Sequence, residues 1–180
     1  MKNTMQSNQY RNTIDNLTNL QQRIERQSQL LKQFQAPLIT LTLNLPIELA
    51  QKRYTEVIFN SALDAINEKI NALRSQVLHR QIIHSNFGSE AYYITQIASA
   101  NVVKKAMIDI EQIHPLGTLF NIDVMCLRGK TISRKSCGMA PRQCLMCGQP
   151  VQKCSSTHQH ALDELEKCIV SLCNQAYSYS

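Results

Sequence analysis

Residues 37–45 read Pro-Leu-Ile-Thr-Leu-Thr-Leu-Asn-Leu, and no other stretch constrains the fold as tightly. Leu and Ile alternate with Thr and Asn, the period-two pattern of a strand with one face on a core. Such a strand needs neighbours at its edges and a cover over its apolar face. Further strands are predicted at 77–83 and 92–98 around a turn at 86–89, and at 118–127. An Arg128-Gly129 turn leads from the last of these into a short strand at 130–133.

Helical spacing supplies the cover. A helix is predicted over 15–34, with apolar Leu17, Leu20, Ile24, Leu30, Leu31 and Phe34. Asp15 is its candidate N-cap, and Ala36-Pro37 ends it. A second covers 51–75, with Ile58, Ala62, Ala65, Ile66, Ile70 and Leu73 on one face. A third covers 100–113, with Val102, Val103, Ala106, Met107, Ile110 and Ile113; its end reads equally as strand. The last covers 160–176, with Leu162, Leu165, Ile169 and Leu172. Strands and helices interleave, so the fold class is α+β (mixed α/β). At 180 residues the chain suits one domain, expected over 15–180. Residues 1–14 are polar, rich in Asn and Gln, and expected to be disordered. The 134–160 stretch has no periodicity and reads as a Cys-rich loop before the C-terminal helix.

The net charge is +6 and the pI about 9.0. Between residues 101 and 160, eight Lys/Arg against three carboxylates leave +5. Such a field suits an anionic partner, a polyphosphate or an acidic protein; a basic solvated surface is the plainer reading. No apolar run reaches the roughly 18 residues of a membrane span. The start has no apolar core of a secretory signal, so a cytoplasmic location and no membrane partner are expected.

The run from His114 to Val124, HPLGTLFNIDV, carries the most chemistry. On a strand, Asn121 and Asp123 share a face while Ile122 and Val124 point to the core. Two oxygen-bearing side chains at this spacing are candidates to hold Mg²⁺ together with substrate phosphates. Gly117 upstream would let a phosphate approach the backbone. His114, before Pro115, either bonds a phosphate or shapes the turn. Arg134 and Arg142 flank the cysteine loop and are candidate phosphate binders, and Lys104 and Glu111 are placed to face the same site. The plain alternative is a solvated strand face with surface arginines. His79 and His84 are expected to be structural.

Five of seven cysteines lie between 126 and 154. In a reducing compartment that clustering reads as metal binding or packing, since the count is odd. Cys144-x2-Cys147-x6-Cys154-x5-His160 has the composition of a structural Zn²⁺ site, with His158 competing for the fourth place. Buried thiols that pack the loop are the equal alternative. A redox dithiol lacks the strand–CxxC–helix context.

His114-Pro115-Leu116-Gly117, Leu119-Phe120, Ile122-Asp123-Val124, Ile132-Ser133-Arg134, Pro141-Arg142, the cysteine block and His160 follow one another in an order that resembles the citrate lyase holo-acyl-carrier-protein synthases, the CitX family. More loosely the likeness reaches Lys104, Glu111, Gly88, Glu90 and the strand and helix at 37–60, roughly four-fifths of the chain. The resemblance implies a nucleotidyltransferase-like sheet flanked by helices. It implies transfer of 2′-(5″-triphosphoribosyl)-3′-dephospho-CoA to a serine of the citrate lyase acyl carrier protein, releasing pyrophosphate. Asp123 and Asn121 would then be catalytic and hold Mg²⁺. Gly117, Arg134, Arg142, Lys104 and His114 would bind the donor, and His160 rather than His158 would complete the cysteine set. The nucleophile would belong to the carrier, which fits the lack of any triad-like constellation.

The departures from the pattern lie on chemistry. Thr118 stands for an Arg, Asn121 for the first Asp and Ser156 for an Arg. Ile47-Glu48-Leu49-Ala50 replaces a Gly-Pro-x-Lys loop. Two other readings therefore stay open. One is a weakened or inactive relative that still binds the carrier, in contrast to takeover by Lys105 or Lys130. The other is a small zinc protein that binds nucleic acid. Scarce aromatics, the absence of Trp and an unfamiliar Cys/His spacing speak against nucleic acid as a partner.

Overall fold

The computed structural model describes the backbone of residues 2–157 and 159–178, and side chains from residue 15 onward except 16, 155, 158 and 178–180. The sheet has four strands: β1 (Leu38–Leu43), β2 (Val77–Ser85), β3 (Gly88–Thr95) and β4 (Phe120–Met125). Their order is β2-β3-β1-β4, and every pairing is antiparallel. The helices are α1 (Lys2–Phe34), α2 (Arg53–Ala72), α3 (Ala100–Ile113), α4 (Val151–Thr157) and α5 (Leu162–Ser178). The expected α+β class is therefore observed. Among the described residues no helix is long and apolar enough to cross a membrane.

The alternation in 37–45 becomes two faces of β1. Ile39 and Leu41 join the main core, with Ile58, Phe59, Ala62, Ile66 and Ile70 of α2 and Val103, Met107 and Ile110 of α3. Full burial of each such aliphatic side chain contributes about 1.5–3 kcal/mol. Ile169 and Cys173 bring α5 onto the same core. Thr40 faces the other way and is buried as well, in register between Tyr92 of β3 and Asp123 of β4. A second, smaller core of Leu30, Leu31, Leu38, Tyr92 and Ile94 fixes the end of α1 against that second face.

Several boundaries differ from the sequence reading. Helical backbone is described from Lys2, where a disordered start was expected over 1–14; the side chains of 2–14 lie outside the described residues. Leu17, Leu20 and Ile24 of α1 are exposed, so among the described residues its last turns make the contact with the sheet. Residues 117–119 form a 3-10 turn, and β4 begins at Phe120. The short strand at 130–133 reduces to one bridge, Met125 to Thr131. Residues 100–113 are helix throughout, with the Ser99 hydroxyl accepting from the Val102 N–H at 3.5 Å as N-cap. The aperiodic 134–156 stretch contains a 3-10 turn at Lys135–Cys137 and the helix α4. His160 precedes α5 and lies outside it.

Candidate active site

β4 is an edge strand, and its outward backbone groups need partners. Two side chains of α3 supply them at Ile122. The Lys104 ammonium donates to the Ile122 carbonyl at 2.7 Å, and the Ile122 N–H donates to Glu111 Oε1 at 2.8 Å. Lower on the edge, the Ile132 N–H donates to the Val124 carbonyl at 2.8 Å, and Cys126 N–H donates to the Lys130 carbonyl at 2.9 Å. Helical spacing explains the α3 pair: Lys104 and Glu111 are seven residues apart, two turns along one face. Burial pulls the Lys104 ammonium below its ordinary pKa, while Glu111 and Asp123 pull it back up.

Glu111 is the hub of this edge. Its side chain is 2% exposed. Arg134 donates to one carboxylate oxygen and Arg142 to the other. Arg142 also donates to the side-chain carbonyl of Asn121, whose amide donates in turn to Thr42 Oγ1 at 2.8 Å. Asn121 and Asp123 share a face, as the alternation predicts, with Phe120, Ile122 and Val124 buried opposite. Asp123 is 46% exposed, and its nearest cation is Lys104 at 3.7 Å. Lys104, Glu111, Asn121, Asp123, Arg134 and Arg142 therefore form one connected cluster.

The remaining site candidates are placed differently. Gly117 is buried, and a Cβ there would lie 2.5 Å from the Glu111 carbonyl oxygen. Its lack of a side chain lets the 3-10 turn close on the end of α3, which fixes the Glu111 backbone. His114 Nδ1 accepts from the Leu116 N–H at 3.0 Å, and its Nε2 is 3.3 Å from Ser61 Oγ. Nδ1 is thus used in shaping the turn and Nε2 in tying it to α2, and burial lowers the pKa of this imidazole. Thr118 is exposed, and its carbonyl accepts from Asn44 Nδ2 at 3.4 Å. Ile47–Leu49 form a 3-10 turn with Leu49 in the core.

The polar face continues across the sheet to Glu90, which the family likeness touches, and to Arg23, Arg26, Gln27 and Tyr92, which sequence reasoning missed. Glu90 is buried, bonded to Tyr92 Oη and to Arg23 of α1 at 2.9 Å. Arg26 donates to Tyr92 Oη at 3.4 Å, and Gln27 to Thr40 Oγ1 at 3.4 Å. A cavity of about 210 Å³ opens between Arg23, Thr42, Ala50, Gly88 and Glu90. Thr42 links it to Asn121. A larger concavity of about 730 Å³ lies along α5, between Asp163 and Gln175. Its walls come from one helix, so it encloses nothing. The signal for this half of the site was Thr40 and Thr42, hydroxyls on a strand face that is buried.

Mg²⁺ is bound by oxygens, and one protein carboxylate with substrate phosphates can suffice. Asp123 fits that role by its exposure. Asn121 has its carbonyl accepting from Arg142, so it offers the ion an oxygen only when that bond opens.

In the cysteine block, Cys144 Sγ lies 3.4 Å from His160 Nε2, and Cys147 Sγ lies 3.4 Å from Cys154 Sγ. All four candidate ligand atoms are within 4.8 Å of one another. His158, the competing candidate, lies outside the described residues. Burial alone would raise the Cys144 thiol, but backbone N–H groups of Cys147 and Met146 outweigh it and bring the pKa down to about 7. Burial and the neighbouring thiols raise that of Cys154. Cys173 is buried in the core, whereas Cys126, Cys137 and Cys168 are half-buried.

Over residues 13–176 the sequence matches the family CitX, apo-citrate lyase phosphoribosyl-dephospho-CoA transferase. A probable apo-citrate lyase phosphoribosyl-dephospho-CoA transferase of Vibrio cholerae serotype O1 (strain M66-2) is 30% identical over 143 residues, 79% of this chain and 80% of its own length. The apo-citrate lyase phosphoribosyl-dephospho-CoA transferase of Escherichia coli O1:K1 / APEC is 30% identical over 158 residues, 88% of this chain and 86% of its own. Protein CitXG of Haemophilus influenzae is 31% identical over 146 residues, which span 81% of this chain and 31% of that longer protein. With the match running through the sheet, the Glu111 cluster and the cysteine block, the chain belongs to the apo-citrate lyase phosphoribosyl-dephospho-CoA transferase family.

Proposed function

We propose that this protein transfers the phosphoribosyl-dephospho-CoA group of a 5″-triphosphoribosyl donor to a serine of the citrate lyase acyl carrier protein. The observation that carries the reading is the cluster on the polar sheet face. An exposed carboxylate, Asp123, lies beside two guanidinium groups, Arg134 and Arg142, and next to a cavity lined by Arg23 and Thr42. Cations beside a carboxylate suit a polyphosphate that arrives with a metal ion. The family name and the relatives' names support the same chemistry.

In this mechanism the carrier serine oxygen attacks the α-phosphorus of the donor. The bond from that phosphorus to the bridging oxygen breaks, and pyrophosphate leaves. Bound Mg²⁺ would neutralise phosphate charge as the pyrophosphate departs. Asp123 would hold that ion, and its exposed carboxylate would take up the proton that the serine hydroxyl loses. Arg142 and Arg134 turn partly from Glu111 toward the phosphates, and Glu111 keeps them poised between the two. Asn121 holds the Arg142 guanidinium at the right height over the strand. Lys104, bonded to the Ile122 carbonyl, fixes the strand itself.

The test is the mass of the carrier protein. Incubated with donor, Mg²⁺ and this protein, the apo carrier should gain the mass of the phosphoribosyl-dephospho-CoA group. Asp123→Ala should slow the gain on the order of 10²-fold or more. The melting temperature should hardly move, because Asp123 is partly exposed. No gain, where a relative with the full Asp and Arg pattern works, would overturn the reading. A second reading, a carrier-binding relative with weakened chemistry, is favoured by one observation: both arginines are already engaged by the single carboxylate of Glu111. Asn121→Asp combined with Thr118→Arg distinguishes the two, since a rise from inert to active would show that only the chemistry was lost.

A further inference from the structure

We infer that Cys144, Cys147, Cys154 and His160 bind one Zn²⁺, and that this ion is the clamp that holds Arg142 on Glu111 and Asn121. Tetrahedral Zn²⁺ with Zn–S of about 2.3 Å and Zn–N of about 2.0 Å separates its ligand atoms by about 3.5–3.8 Å. Cys144 Sγ to His160 Nε2 and Cys147 Sγ to Cys154 Sγ are each 3.4 Å, and all four atoms lie within 4.8 Å of one another. Three thiols and an imidazole form a known structural set for this ion.

A disulfide is a poorer account of the same cluster. It would use Cys147 and Cys154 and leave Cys144 and His160 facing each other for no purpose. The 3.4 Å between those two sulfurs is also far from the about 2.05 Å of a bond. Packing accounts for it no better. Between residues 131 and 150, all of them described, Cys144 is the one buried residue, and Cys147 is exposed. A long irregular segment with so little core needs another source of order. Structural zinc supplies folding free energy of that kind.

The link to Arg142 runs through the backbone. The Gly148 N–H donates to the Cys144 carbonyl at 3.0 Å, and the Cys144 N–H to the Gln149 carbonyl at 2.6 Å. Gln143 bridges Pro150, and the Val151 N–H donates to the Arg142 carbonyl at 2.9 Å. Residues 142–151 are therefore one closed hairpin with Cys144 and Cys147 at its tip and Arg142 at its base. α4 brings Cys154 back to it. Fixing the tip fixes the base, and the base carries the guanidinium that spans Glu111 and Asn121.

This inference stands apart from the transfer reaction, so it is tested without substrate. The full chain, purified reduced from zinc-supplemented medium, should carry about one zinc by elemental analysis. Cys147→Ser and His160→Ala should weaken zinc by more than the roughly 10–100-fold that loss of an outer hydrogen bond costs. His160→Cys, which keeps four ligands, should retain it. Chelation should speed hydrogen exchange at Cys144, Gly148 and Val151 and leave β1 and β3 protected. Iron in place of zinc, no uptake from a zinc buffer, or a two-hydrogen mass loss marking a Cys147–Cys154 disulfide would overturn the site. Unchanged exchange over 142–151 in the metal-free protein would overturn the clamp.

Discussion

Two buried glutamates, Glu90 and Glu111, are each gripped by two arginines, yet they are held by different means. Glu90 meets Arg23 and Arg26, three residues apart on one face of the regular helix α1. It also binds the hydroxyl of Tyr92, its neighbour on the same strand face, whose own pKa is raised by burial and by that bond. Glu111 meets Arg134 and Arg142, which come from an irregular segment, and its remaining bond is to the backbone of Ile122. The first pair is positioned by a helix that carries its own hydrogen bonds. The second depends on turns and on the cysteine cluster. Arginines on the irregular segment can leave their carboxylate for a phosphate more cheaply than arginines built into a helix, and the proposed transfer uses the Glu111 side for that reason.

The largest expected effect tests that contrast directly. Glu111→Gln leaves two guanidinium groups without their counter-charge and should cost on the order of 3–5 kcal/mol of stability. Glu90→Gln should cost less, about 1–3 kcal/mol, because Arg23 and Arg26 are 29% and 24% exposed and water can take over. Urea unfolding of both variants decides it, and equal losses would erase the distinction.

Gly117→Ala comes next. Its Cβ would strike the backbone carbonyls of Glu111 and Ile110 at 2.5 and 2.7 Å, so a loss of about 3 kcal/mol is expected. Gly88→Ala, on the Glu90 side, meets only Ala50 Cβ at 3.7 Å. It should cost about 1–2 kcal/mol, from its positive φ. Thermal melting of the pair would sharpen the view that the Glu111 side tolerates less backbone movement.

The smallest effect is one of pH. His114 closes α3 just beyond Glu111, and its folded pKa is below the ordinary 6.5. Between the two values the unfolded chain binds a proton there and the folded chain does not, so stability falls as the pH drops through that window. Melting curves between about pH 7.5 and about pH 5 should show this decline flattened in His114→Gln. A decline of the same size in both proteins would assign it elsewhere.

Much of the scaffold was legible because burial writes itself as period. The 37–45 alternation gave a central strand, and the alternation from Phe120 to Met125 correctly put Asn121 and Asp123 together. The apolar spacing over 100–113 matches the third helix, and the alternative of a strand at its end falls away. In α1 the same rule misled, since Leu17, Leu20 and Ile24 keep helical spacing and still face outward. Arg23 was illegible because apolar periodicity is silent about which polar face meets a buried glutamate. The segment around Arg134 and Arg142 has no period at all: its shape comes from turns and thiols, so the sequence places Glu111 at the same site but not its pairing with both arginines.

The way Lys104 and Glu111 close β4 also governs how this protein meets other chains. An open strand edge is a template on which a foreign strand can assemble, the usual start of aggregation and of strand-lending complexes. Side chains from α3 and the 130–132 backbone occupy that template at Ile122, Val124 and Cys126, so a foreign strand meets it already engaged. The opposite edge, β2, carries Arg80 and stays accessible. An incoming strand would thus add at β2, with β3 and β1 between it and the Glu111 cluster.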